Sequence, residues 1–216
     1  MSSSPLRPRP AILLPLLLVV ALALALAGLI WLWRPADDGA AAIVWGGSHP
    51  ASAPTGGDFE LRSRDGPVAL SRFRGKVVLL YFGYTSCPDI CPTNLAIIAY
   101  ALKQLSLAER ARVQVLFVTV DPARDTPERL AQYTAYFDPG ILGLSGSDAQ
   151  VAAAAARYGA AYRRVEQPES AMGYLVDHSA LTYVIDTRGR WVATLPHATP
   201  AEEIVAVLRR LLAASS

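Results

Sequence analysis

The chain has 216 residues, 52% of them hydrophobic, with 20 basic and 18 acidic side chains. Setting aside Arg7, Arg9 and Arg34 leaves 17 basic against 18 acidic residues from residue 35 onward. A domain so close to neutral is a poor candidate for binding nucleic acid electrostatically. Only Lys76 and Lys103 are lysines, and the heavy use of Ala and Arg points to a GC-rich bacterial genome.

The hydrophobic excess has an address. Residues 11–33 read AILLPLLLVVALALALAGLIWLW, 23 positions without a charge. As a helix this run is about 34 Å long, enough to cross the hydrocarbon core of a bilayer. Arg7 and Arg9 precede it, whereas after it a single Arg34 faces Asp37 and Asp38. The basic side is therefore N-terminal, which places residues 1–10 in the cytoplasm and the rest in the periplasm, behind a single inner-membrane span. A cleaved signal peptide is the competing reading, with the two arginines as its basic start and Ala25-Leu26-Ala27 as its cleavage signal. Either way the remainder is exported. Residues 34–57, rich in Pro, Gly, Ala and Ser, read as a flexible linker, with His49 as one of its solvated residues.

From residue 58 the pattern is that of one α/β domain. Short strands are expected at 59–61 and 68–70, around the turn Asp65-Gly66-Pro67. KVVLLYFGY at 76–84 has the β-branched and aromatic character of a central buried strand. Leu95, Ile98, Ala99, Leu102 and Leu105 stand at helical spacing, so a helix follows Pro92 to about residue 106. A second buried strand is expected at 113–120 and a helix at 127–137, opened by Thr126-Pro127. The next helix is capped by Ser147 with Gln150 and stopped by Gly159. An antiparallel pair at 181–185 and 190–194 follows, and Thr199 with Glu202 reads as a capping box for the last helix. Two strands joined through a helix are parallel, with a right-handed crossover. An α/β core closed by an antiparallel pair and a final helix is the thioredoxin-like arrangement.

The chemistry concentrates in YTSCPDICPT, residues 84–93, which holds both cysteines, Cys87 and Cys91. A disulfide over so short a loop would remove little chain entropy, which argues against a purely structural bridge. Pro92 lacks an N–H and clashes inside a helix, so Cys91 stands at a helix start, where unpaired amides and the macrodipole favour thiolate. A redox dithiol and a metal grip remain. His178, in Val176-Asp177-His178-Ser179, precedes the strand whose entry passes beside the cysteine loop in this topology. Thioredoxins place a cis-proline there, but no proline lies between Pro168 and Pro196. Cys87, Cys91 and His178 make a soft three-ligand set suited to Cu(I), able to hold Cu(II) and open to zinc with a water. Asp121, ending the second central strand at the same edge, is a candidate to orient His178, accept from the cysteine loop or meet a partner. His197 is expected at the opposite end of the sheet.

The runs YFGYTSCPDICP, VTVDPARDTPERL and VDHSALTYVID resemble signature segments of the Sco/SenC family of membrane-tethered copper-handling proteins with thioredoxin folds. DFELRSRDGPVALSRFRGKVVLLYF is similar too, and the likeness runs in order over about residues 55 to 213. The resemblance implies that Cys87, Cys91 and His178 bind copper. It also implies that the chain delivers copper to the dinuclear site in subunit II of cytochrome c oxidase, or reduces the cysteines of that site. A periplasmic copper donor or thiol reductant would be a further partner. In the redox alternative Cys87 attacks and Cys91 resolves. Peroxidase action fits poorly, because Thr85-Ser86-Cys87 is one residue short of the peroxiredoxin Thr-x-x-Cys.

Overall fold

KVVLLYFGY forms the central strand. All seven residues of β3 (Val77–Gly83) are buried, as expected for a strand with neighbours on both edges and cover on both faces. The structure, a computed structural model, describes residues 10–32 and 54–214, and within the first of these ranges the side chains of residue 17 and residues 19–29. The chain divides into two units, Met1–Gly46 and Gly47–Ser216.

In the first unit, α1 (Pro10–Leu32) is a continuous helix over the apolar run. Its described large side chains, among them Leu17, Leu22, Leu24 and Leu29, are exposed. Among the described residues no helix is long and apolar enough to cross a membrane. Residues 1–9, most of the expected linker and His49 lie outside the described residues.

The second unit begins with residues that were expected to be linker. The Gly56 N–H donates to the Arg157 carbonyl at 2.8 Å, and the Tyr158 hydroxyl donates to the Gly57 carbonyl at 2.9 Å. Next comes an antiparallel ribbon, β1 (Glu60–Ser63) with β2 (Gly66–Ala69), in which Leu61 faces Val68. After β3 the order is α2 (Ile90–Lys103), α3 (Leu107–Ala111), β4 (Val113–Thr119), α4 (Pro127–Phe137), β5 (Ile141–Leu144), α5 (Asp148–Tyr158), β6 (Tyr162–Gln167), β7 (Gly173–His178), β8 (Thr182–Ile185), β9 (Trp191–Leu195) and α6 (Ala201–Ala213). The main sheet is mixed, in the order β5-β4-β3-β8-β9. β3 and β4 are parallel, with Gly83 opposite Thr119, and β8 runs antiparallel to β3, with Thr182 opposite Tyr81. Helix α2 packs against α6, and α4 against β5.

Thr126 and Ser147 cap α4 and α5 as expected, the latter through a capping box with Gln150. Four elements escape a sequence reading. β5 has only four residues, and α3 is a five-residue helix with its own capping box, Ser106 with Glu109. β6 and β7 form a separate two-stranded ribbon whose residues are mostly exposed or half-buried, so no apolar alternation marks them. Two expectations are corrected. The Thr199 hydroxyl donates to the Pro196 carbonyl at 2.8 Å and α6 has no side-chain cap, because Pro200 occupies the cap position. His197 follows Leu195, which pairs with Thr182 and so stands at the same sheet end as Tyr81. Two successive antiparallel pairings return β9 to the direction of β3, so this end is the cysteine end.

Candidate metal centre

The ligand atoms of Cys87, Cys91 and His178 all lie within 4.8 Å of one another. Each comes from a different piece of local structure. β3 ends at Gly83, and Tyr84 to Asp89 form the loop that carries Cys87. Asp89 is the N-cap of α2, which puts Cys91 in the first turn with Pro92 beside it, where a missing N–H costs nothing. His178 is the last residue of β7 and pairs with Tyr162 of β6, so it ends a strand rather than sitting in a free loop.

Gly83 makes room for Cys91. A Cβ at that position would stand 2.8 Å from the Cys91 sulfur and 2.8 Å from the Phe117 ring. Cys91 is fully buried and Cys87 is 8% exposed, so the pair meets solvent through Cys87. Both are free thiols. The Tyr81 hydroxyl points at the Cys91 sulfur from 3.9 Å.

Electrostatics divides the two thiols. The Cys91 thiol donates to Cys87, and this contact, with help from His178 and the backbone amides of residues 89 and 91, lowers Cys87 from the ordinary 9.0 to about 4 against the opposing effect of burial. Burial, then the neighbouring Cys87, pushes Cys91 far upward. At neutral pH the pair therefore shares one proton, with Cys87 as thiolate and Cys91 as thiol. A metal that takes both sulfurs must displace that proton.

The His178 ring is aimed by its own neighbour. Its Nδ1 lies 3.3 Å from the Ser179 carbonyl, which can only accept; a ring that keeps its hydrogen on Nδ1 would offer the Nε2 lone pair to a metal. Nε2 faces the Cys91 sulfur at 3.3 Å. The edges of Tyr81 and Tyr84 flank the imidazole at 6.2 and 5.8 Å between ring centroids. A metal bonded at about 2.3 Å to sulfur and about 2.0 Å to nitrogen spreads its ligand atoms roughly 3.5–4 Å apart. The three donors thus close on one soft ion with small adjustments, and their chemistry fits one.

Asp121 is buried at the end of β4. Its carboxylate pairs with Arg124 and accepts from the Tyr174 hydroxyl at 2.7 Å, and its own N–H donates to Thr119 Oγ1 at 2.9 Å. The contact that orients His178 is the Ser179 carbonyl, while Asp121 reaches β7 four residues upstream through Tyr174. His197 is no part of the donor group; its Nδ1 is buried without a partner among the described residues.

A residue that sequence reasoning missed braces the cysteine loop. Asp125 is fully buried. It accepts from the Thr85 N–H at 2.9 Å, the Thr85 hydroxyl at 2.5 Å and the Thr119 hydroxyl at 2.7 Å. Arg129 donates to Thr85 Oγ1 at 2.7 Å and Ser86 Oγ at 3.1 Å, and stands 3.8 Å from the Asp125 carboxylate. Asp121 and Asp125 both fall in VTVDPARDTPERL. The second aspartate was available as a signal, since a helix cap was already assigned to Thr126 and left it without a task.

The chain is similar to known proteins in sequence and in fold. An SCO2-like protein of Rickettsia conorii is 36% identical over 155 residues, 71% of this chain and 75% of that protein. The apo Sco1 solution structure from Thermus thermophilus is 44% identical, with a TM-score of 0.68 over 74% of this chain and 93% of that one. ScoI of Bradyrhizobium japonicum, solved with copper bound, is 37% identical, with a TM-score of 0.67 over 73% of this chain and 99% of that one. Residues 47–213 match the SCO1/SenC family, and the chain belongs to it.

Proposed function

We propose that the chain is a copper metallochaperone in which Cys87, Cys91 and His178 hold the metal as cargo. The observation that carries this reading is the convergence of three soft donors within 4.8 Å, where the Cys91 side chain, then His178 and the amides of the helix start, lower the cost of the Cys87 thiolate. Cu(I) is the ion that suits two thiolates and one imidazole without a fourth protein ligand, and the same set can hold Cu(II). Proteins of this family take part in cytochrome c oxidase assembly, and the recipient proposed here is the dinuclear copper site of subunit II. A periplasmic copper donor would load the site. Residues 11–33, free of charge, are proposed to anchor the domain to the bacterial inner membrane, with residues 1–10 cytoplasmic, residues 34–57 as linker and residues 58–216 as the periplasmic domain. Copper titration of the reduced protein, followed by X-ray absorption, tests the ligand set. Wild type should show two sulfurs and one nitrogen, Cys87→Ser one sulfur fewer and His178→Ala no nitrogen; an unchanged spectrum after His178→Ala would sink the three-ligand reading.

The split between the two thiols favours a second reading, thiol:disulfide exchange, as a companion activity. The Cys87 thiolate would attack a disulfide of the recipient and release one of its thiolates. Cys91 would then attack the mixed disulfide, closing Cys87–Cys91 and leaving the recipient reduced by two electrons; a thiol reductant would reset the pair. A Cys91→Ser variant should trap a mixed disulfide with subunit II, and failure to capture it removes this reading.

A further inference from the structure

We infer that Arg124 is a positioning residue for the His178 imidazole, the pin that holds β7 against the end of β4; this rests on His178 serving as a copper ligand. Among the described residues the ribbon that carries His178 has no strand partner outside itself, since β6 and β7 form a sheet of two. Along the free edge of β7, side chains stand where a third strand would. Arg124 Nη1 donates to the Tyr174 carbonyl at 3.0 Å and to the Met172 carbonyl at 3.3 Å. The Val176 N–H donates to the Tyr84 hydroxyl at 3.3 Å. Three main-chain groups at alternate positions are thus held, and His178 is the next position in the same register.

Arg124 ties these contacts to the body of the domain. Its Nε pairs with the Asp121 carboxylate, which also accepts the Tyr174 hydroxyl. Its guanidinium lies 3.7 Å from the Tyr174 ring centroid and 5.8 Å from that of Tyr84. Tyr84 is in turn the ring against which the His178 imidazole packs. One planar cation therefore bridges the end of β4, the main chain of β7 and the cysteine loop. Lysine could keep a charge near Asp121, but its one nitrogen cannot hold the Asp121 carboxylate and the two carbonyls at once, as Nε and Nη1 do, and it has no flat face for the rings. Without the pin, β7 is held to the body by the Tyr174–Asp121 bond, the Val176–Tyr84 bond and the short link to β8, and the imidazole loses its fixed distance from the two sulfurs. The two thiols are braced separately, through Asp125 and α2.

The test is a double-mutant cycle on the full-length reduced protein, with Cu(I) titrated anaerobically against bicinchoninate and the nitrogen and sulfur ligands counted by X-ray absorption. Arg124→Ala should weaken Cu(I) binding about tenfold or more, the usual size of an outer-shell loss, with nitrogen lost from the metal and both sulfurs kept. In the His178→Ala background the same substitution should change nothing further. An equal loss in both backgrounds would mean a general effect on the fold and would overturn the proposal, as would full affinity with nitrogen retained in Arg124→Ala. Arg124→Lys should behave like Arg124→Ala; wild-type binding by the lysine variant would also overturn it. If Arg124→Ala does not fold, Arg124→Lys and Tyr174→Phe, which removes only the hydroxyl bond to Asp121, carry the same cycle, and each should show a loss that vanishes without His178. Wild-type affinity and ligand count in His178→Ala itself would refute the ligand reading instead.

Discussion

Cys87 and Cys91 hang from the most buried strand of the domain and the helix that follows it, within a loop braced by a fully buried carboxylate. His178 comes from a two-stranded ribbon whose residues are mostly exposed or half-buried and which side chains, not a sheet, attach to the body. The dithiol half resembles a core, and the histidine half resembles an arm laid against it. Under the proposed chaperone function, this division separates ligands that stay from one that can leave. Exchange with a recipient could begin at the imidazole, at the edge of the site, and end at the buried sulfur.

The sharpest way to break the comparison is at the sulfurs. Cys91→Ala should abolish stoichiometric copper binding, measured by metal content after gel filtration in the presence of bicinchoninate. One-to-one copper retained by that variant would remove Cys91 from the core of the site. The next largest effect falls on the brace of the dithiol half. Asp125→Ala leaves the Thr119 hydroxyl and the Thr85 amide without their acceptor, and each unsatisfied buried group costs about 1–3 kcal/mol. A loss of roughly 3 kcal/mol in urea unfolding is expected, together with slower alkylation of Cys87.

A smaller effect comes from pH. With Cys87 lowered to about 4, alkylation of the reduced, metal-free protein should stay nearly constant from pH 9 to pH 6 and fall with a midpoint about 4. Because the folded value lies below the ordinary thiol value, the thiolate contributes stability that is fully present above about pH 9 and is lost as pH falls through about 4. Urea midpoints of the reduced protein, measured against Cys87→Ala over that range, check the sign. The smallest effect is expected on the ribbon surface. Arg163 and Asp177 pair across β6 and β7 at 2.8 Å with about half of each side chain exposed, and Arg163→Ala should cost less than about 1 kcal/mol and leave copper affinity within about twofold. A large loss there would mean the ribbon is held by its surface charges and not by the pin.

Legibility followed burial. β3, β4, α4 and α5 were readable because buried strands are continuously apolar and because Thr126, Ser147 and Gly159 mark helix ends by local chemistry. β6 and β7 were not, since a ribbon with little buried face leaves no period in the chain. The three donors were legible as residue types at the right places in a topology. Asp125, Arg124 and Gly83 were not assigned roles, because what they do depends on who stands next to them: a loop, a strand edge and a sulfur.

From sequence alone came the apolar run near the N-terminus, the α/β order, the helix start at Pro92 and the family likeness. All of these depend on local rules, such as periodicity, a missing N–H and the turn chemistry of neighbours. Tertiary structure alone decided that Cys87 and Cys91 divide one proton between them, that His178 turns Nδ1 to the Ser179 carbonyl and Nε2 to the Cys91 sulfur, and that Asp121 works through Tyr174 and Arg124 rather than on the imidazole. Proton sharing, ring orientation and leverage are set by distances between groups far apart in the chain, and only the folded arrangement brings those distances into being.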